Sequence, residues 1–146
     1  MNENQNEKKR MKEMIQRMIT KLRGDEKMKI VIPTEDMNGL ESKVSEHFGK
    51  CNTYTFVDEN GNVTMIIHNT SEHMGGVGLP PEIMKKNGAD ILLCRGLGPR
   101  ALEMCREFGI DVYVGQVETA GEMFWLWKNK KIKRADANDV CEEHKH

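Results

Sequence analysis

Apolar and polar residues alternate along this chain in two periods. Ile91-Leu92-Leu93-Cys94 is an unbroken apolar run, as expected of a strand buried on both faces. Gly96, Gly98 and Pro99 stop it and open a helix, with Gly98 as N-cap and Pro99 at the first helical position. Ala101, Leu102, Met104, Cys105 and Phe108 then form a one-sided stripe, and Gly109 ends it. Asp111-Val112-Tyr113-Val114 reads as the next strand. The unit is βαβ, so the sheet is at least partly parallel.

Upstream, Lys29-Ile30-Val31-Ile32 reads as a strand ended by Pro33. Thr53–Val57 and Val63–Ile67 flank Asp58-Glu59-Asn60-Gly61-Asn62, whose Asn-Gly pair signals a hairpin. A short helix follows over Pro80–Lys86, and a last one over Ala120–Asn129, burying Met123, Phe124 and either Trp125 or Trp127. The pattern predicts an α/β fold with a mixed five-stranded sheet and flanking helices. Lys29–Ile32 is central, Ile91–Cys94 lies parallel beside it, and the hairpin lies on its other side. Before this domain, Met11, Met14, Ile15, Met18, Ile19 and Leu22 recur at helical spacing, predicting an amphipathic helix over Glu7–Arg23.

The 146 residues suit one domain at 28–134, a helical extension at 1–27 and a flexible polar tail at 135–146. The extension carries eight basic and five acidic residues. It suits docking on the domain, pairing with a second chain, or a Met-rich target-binding surface. No run of 18 apolar residues suggests a membrane span, and the polar start lacks a signal peptide's apolar core, which points to the cytoplasm. Four cysteines without a CxxC pair argue against zinc ribbons and thioredoxin chemistry. A net charge of −1 without a basic, aromatic-rich patch argues against nucleic acid.

The residues able to carry chemistry stand in loops or at strand ends: His47, Cys51, His68, His73 and Cys94. Strand direction brings four of the connecting segments to one edge: those after the first, third and fourth strands, and the start of the second. Imidazole with thiolate suits soft or borderline metals and iron–sulfur species. Arg95, Gly96, Gly98 and Arg100 add cations, amides and a helix N-terminus, which favour an anion. Cys105 reads as a small buried hydrophobe and His68 as a strand cap. Cys141, His144 and His146 form a loose metal-affinity patch in the tail.

Other chemistries fit less well. Gly96-Leu97-Gly98-Pro99-Arg100-Ala101 matches a dinucleotide fingerprint, with Glu118 as the later acid, but Pro99 removes an amide and the second βαβ half is missing. Hydrolase motifs are absent. Glu35 and Asp36 lack an acidic partner after the fourth strand for two-metal chemistry.

Three stretches together resemble a known family: Met28-Lys29-Ile30-Val31-Ile32-Pro33, Val44-Ser45-Glu46-His47-Phe48-Gly49 and Gly96-Leu97-Gly98-Pro99-Arg100-Ala101. His73-Met74-Gly75-Gly76 is similar to that family's Gly-rich segment. The chain from Met28 to about Arg134 thus resembles the dinitrogenase iron-molybdenum cofactor biosynthesis domain of NifX-, NafY- and NifB C-terminal-like proteins. The resemblance implies a ribonuclease-H-like fold and non-catalytic binding or carriage of an iron–sulfur or iron–molybdenum-type cluster or its precursor. The implied partners are that metallocluster and a cluster donor or acceptor protein. The expected metal ligands are His47, Cys51, His73 and Cys94, with Arg95, Gly96, Gly98 and Arg100 completing the cofactor site. The alternative is a metal-free adaptor or regulatory module that binds a protein or small anion through the same loop face.

Overall fold

The computed structural model describes residues 3–22, 28–70 and 78–136. The elements in order are α1 (Glu3–Leu22), β1 (Ile30–Thr34), β2 (Thr53–Val57), β3 (Val63–His68), α2 (Pro80–Lys86), β4 (Ile91–Cys94), α3 (Pro99–Glu107), β5 (Asp111–Val114), α4 (Ala120–Lys128) and β6 (Lys133–Arg134). One mixed sheet takes the order β3-β2-β1-β4-β5-β6. β1 pairs antiparallel with β2 and parallel with β4, and β4 pairs parallel with β5. The central position of β1, the parallel β4 and the flanking hairpin agree with the sequence pattern.

The sheet has six strands rather than five. Lys133–Arg134 adds an antiparallel edge strand to β5. The next residue, Ala135, is buried, and its N–H donates to Val112 O at 2.8 Å. Polarity misleads here because backbone pairing holds an edge strand, and its side chains can stay in water. Pro33 also lies inside β1 rather than beyond it, opposite Tyr54. Its carbonyl accepts from Ser45 N, and its missing N–H falls on that same side, past the last residue paired with β4.

Alternation along the central strands divides the core into two layers. Val31, Tyr54, Phe56, Leu92, Cys94 and Val112 face α2 and α3, where they meet Met84, Leu102 and Cys105. Ile30, Ile32, Val57, Ile91 and Leu93 face the other way and meet Ala120 and Met123 of α4. Each of these large aliphatic side chains, once buried, contributes about 1.5–3 kcal/mol. Trp127 packs on this second layer with Phe124, whereas Trp125 is exposed.

The ends of these elements follow local rules. Thr119 caps α4 by accepting from Glu122 N, and the Glu122 carboxylate accepts from Thr119 N, a reciprocal box written as T-x-x-E. The hairpin turn closes around buried Asp58, whose carboxylate accepts from Asn60 N and Asn62 N. Gly61 has φ +86, and a Cβ there would lie 3.0 Å from the Phe124 ring. Glycine therefore meets both a left-handed turn and a close approach to α4.

Candidate functional site

Four connections meet at the carboxyl ends of β1, β3, β4 and β5, beside the amino end of β2. The β1–β2 connection is the longest and contains 3-10 turns at Gly39–Glu41 and Phe48–Lys50. It is stitched to the segment after β5, where Val44 N donates to Glu118 O and Ala120 N to Ser42 O. It is stitched to the segment after β3 through Asn69, whose amide Nδ2 donates to Gly49 O at 3.2 Å and Cys51 O at 2.8 Å. Gln116 Nε2 donates to Arg95 O at 2.7 Å, joining the connections after β5 and β4. The expected convergence is therefore present and carried by named hydrogen bonds. His73 and the Met74-Gly75-Gly76 stretch lie outside the described residues, as do Cys141, His144 and His146.

Arg95 is the centre of this face. Its Nε is buried and, among the described residues, has no hydrogen-bond partner. One terminal nitrogen lies 3.8 Å from Glu46 Oε1. Glu46 is largely exposed, so this ion pair is worth at most about 1 kcal/mol and can yield to a competitor. Next to Arg95, Gly98 is the N-cap of α3 with Pro99 at N1, and among the described residues no side chain caps the helix. Leu102 N makes the first intrahelical bond, to Gly98 O. The amides of Arg100 and Ala101 therefore have no acceptor within the helix, and the positive end of its dipole points to the loop face. Gly96 is buried, Gly98 half-buried and Arg100 exposed. His47 is exposed at the start of the 3-10 turn, held by Ser45, whose Oγ accepts from His47 N.

The two thiols expected as ligands sit differently. Cys51 and Cys94 are both buried, and their side chains belong to the core layer under α2 and α3. A strand-end position told nothing about which face a residue takes. The alternation Leu92, Cys94 does so, and it points Cys94 inward. Burial pushes the Cys51 thiol up to about 12, although Tyr54 and Asn69 pull it the other way. In the metal-free chain this favours the protonated thiol at neutral pH. The Tyr54 hydroxyl is also buried, beside the Cys51 thiol. Burial, then the Cys51 thiol beside it, raises its pKa. Cys105, likewise pushed up to about 12 by burial, is the small core hydrophobe expected. None of these three cysteines is in a disulfide. Among the described residues, no three His, Cys, Asp or Glu side chains come together as a metal-holding group.

Several supporting residues escape a motif search. Asn69 is buried and fixes the turn that carries His47 and Gly49, yet it reads as an ordinary loop residue. Thr34, Thr53 and Thr55 form a buried hydroxyl cluster, with Oγ1 separations of 2.6 and 2.9 Å from Thr34. That cluster satisfies polar groups at the end of β1, where the long connection leaves. Asp36 accepts from Ser42 Oγ and Asn38 N, and these bonds hold its pKa below the usual carboxylate value. Its carboxylate thus organises the loop. A separate cavity of about 280 Å³, lined by Arg106, Ile110, Asp111 and Arg134, opens at the amino end of β5, away from this face. Its arginines already bond Ala135 O and Asp111.

The chain is thus a mixed α/β domain whose sheet has the start of α3 and Arg95 at its carboxyl edge. Residues 28–130 match the family described as dinitrogenase iron-molybdenum cofactor, and the chain belongs to that family. Protein MJ0580 of Methanocaldococcus jannaschii is 30% identical over 121 residues, covering 80% of this chain and 98% of that protein. The crystal structure of PH0822 superposes with a TM-score of 0.57 at 31% identity, covering 75% of this chain and 98% of its own. The apo form of the orange protein from Desulfovibrio gigas reaches a TM-score of 0.64 at 20% identity over 75% and 94% of the two chains, a likeness of fold.

Proposed function

We propose that this chain binds and carries an anionic iron–sulfur or iron–molybdenum-type cluster, or its precursor, on the loop face, without catalysing a reaction on it. Membership of the family makes cofactor biosynthesis the natural setting. The observation that carries the reading is the buried Arg95 Nε, without a partner among the described residues, beside the start of α3, which none of them caps. A buried guanidinium N–H left unsatisfied is costly, and an anionic cargo would satisfy it. The amides of Arg100 and Ala101 add donors whose field favours negative charge. His47 and His73 are the imidazoles assigned to the cargo. Cys51 and Cys94 are assigned to the core instead.

The Arg95 Nε and the start of α3 also suit one alternative. In it, the same face takes a metal-free anion or an acidic segment of a protein. Purification without oxygen, followed by visible absorption and analysis of iron, molybdenum and sulfide, separates the two. Carriage predicts metal and sulfide that co-elute with the chain and a charge-transfer band. Colourless, metal-free protein that cannot be reconstituted supports the adaptor reading.

A further inference from the structure

We propose that α1 pairs with the α1 of a second copy of this chain as a parallel two-stranded coiled coil. α1 spans 20 residues, yet the apolar residues of its middle are exposed among the described residues. Met11, Met14, Ile15 and Met18 are 59, 60, 48 and 57% exposed. The helix is instead attached through another side, where Arg17 forms an ion pair with the buried carboxylate of Asp90. At about 100° per residue, Arg17 lies roughly 130° around the helix from the centre of the apolar stripe. The attachment thus turns the stripe outward.

The spacing of the stripe identifies its occupant. Met11, Ile15 and Met18 fall at successive d, a and d positions of a heptad, and Leu22 falls next in register at a. In a parallel assembly, a β-branched residue such as Ile15 at a suits two strands. The flanking positions are complementary to themselves. In a parallel pair each g position faces the e position of the following heptad on the other helix. Glu7 at g then meets Lys12 of the partner subunit at e, and Met14 at g meets Ile19 of the partner subunit at e. Two-fold symmetry makes each contact twice. The attachment point leaves room for this. Asp90 immediately precedes β4, and its carboxylate also accepts from Lys29 N just before β1. Both lie at the amino ends of the central strands, opposite the loop face, so pairing leaves that face open.

The stripe from Met11 to Leu22 is about 17 Å long at 1.5 Å per residue, so the association is concentration-dependent rather than obligate. Sedimentation equilibrium of the full chain tests it. The apparent mass should climb from 16.8 kDa toward twice that value as concentration rises. The Ile15→Glu, Met18→Glu double variant should stay monomeric at every concentration, with an unchanged melting transition of the domain. Glu7→Lys and Lys12→Glu should each weaken the dimer several-fold, and the two together should restore it. A full chain that stays monomeric, or a dimer indifferent to Ile15→Glu with Met18→Glu, overturns the proposal. Failure of the double charge swap to restore pairing overturns the parallel register.

Discussion

Asn69 shows how a single side chain can hold the loop face together. Its amide donates to the carbonyls of Gly49 and Cys51, and it is buried. Asn69→Ala should lower unfolding free energy by about 1–3 kcal/mol, because those carbonyls lose their donor. Urea denaturation of the two proteins measures this. The buried thiols make a second expectation. Cys51 and Cys105 are pushed up to about 12 in the folded chain, from 9.0, by burial. Between those values the unfolded state loses its thiol protons and the folded state keeps them. Stability is therefore fully present below about pH 9 and lost as pH rises toward 12. Melting temperatures taken from pH 8 to 11 should fall, and Cys105→Ala should flatten the slope. A flat profile for the parent protein would contradict the burial of these groups. At this scale the sequence disclosed which polar residues stand on the loop face, Arg95, His47 and the glycines among them. It concealed Asn69, which needs the third dimension to be seen. It also did not show that Cys51 and Cys94 are buried, because only the alternation along the strand turns Cys94 inward.

Among the elements, strong local signals were legible. Gly98 and Pro99 start α3 where capping chemistry puts it, and Thr119 with Glu122 starts α4. The helix expected over Glu7–Arg23 spans Glu3–Leu22. β6 was not legible, since two charged residues carry no hydrophobic period and their pairing is a backbone matter. This gives a contrast to test. Arg134 pairs with Asp111 at 2.6 Å but is largely exposed, so Arg134→Ala should cost under about 1 kcal/mol. Ala135 is buried against the α3 layer, so Ala135→Asp should cost several times more by burying an unpaired charge. Thermal melts of the two variants decide it, and equal losses would show that β6 is held by its side chains. Removing residues 1–26 should preserve a cooperative melt, because both core layers are built from Met28 onward. Loss of that transition would place α1 in the core.

For the whole molecule, topology does what no single motif could. Two antiparallel reversals and two parallel crossovers send segments distant in sequence to one edge of the sheet. No helix among the described residues is long and apolar enough to cross a membrane. Strand order was readable because Ile30–Ile32 of β1 and all of β4 are apolar, as suits strands buried on both faces. The ligand set was not, because identity and spacing do not say which groups are buried. The central claim is that Arg95 and the start of α3 receive an anionic cluster. It is tested most directly by anaerobic reconstitution with ferrous iron and sulfide, followed by gel filtration and analysis of the iron and sulfide retained. The parent chain and Cys51→Ala should retain both. Arg95→Gln should retain several-fold less with an unchanged melting temperature. Equal retention by Arg95→Gln and the parent, or none by the parent, would contradict the account.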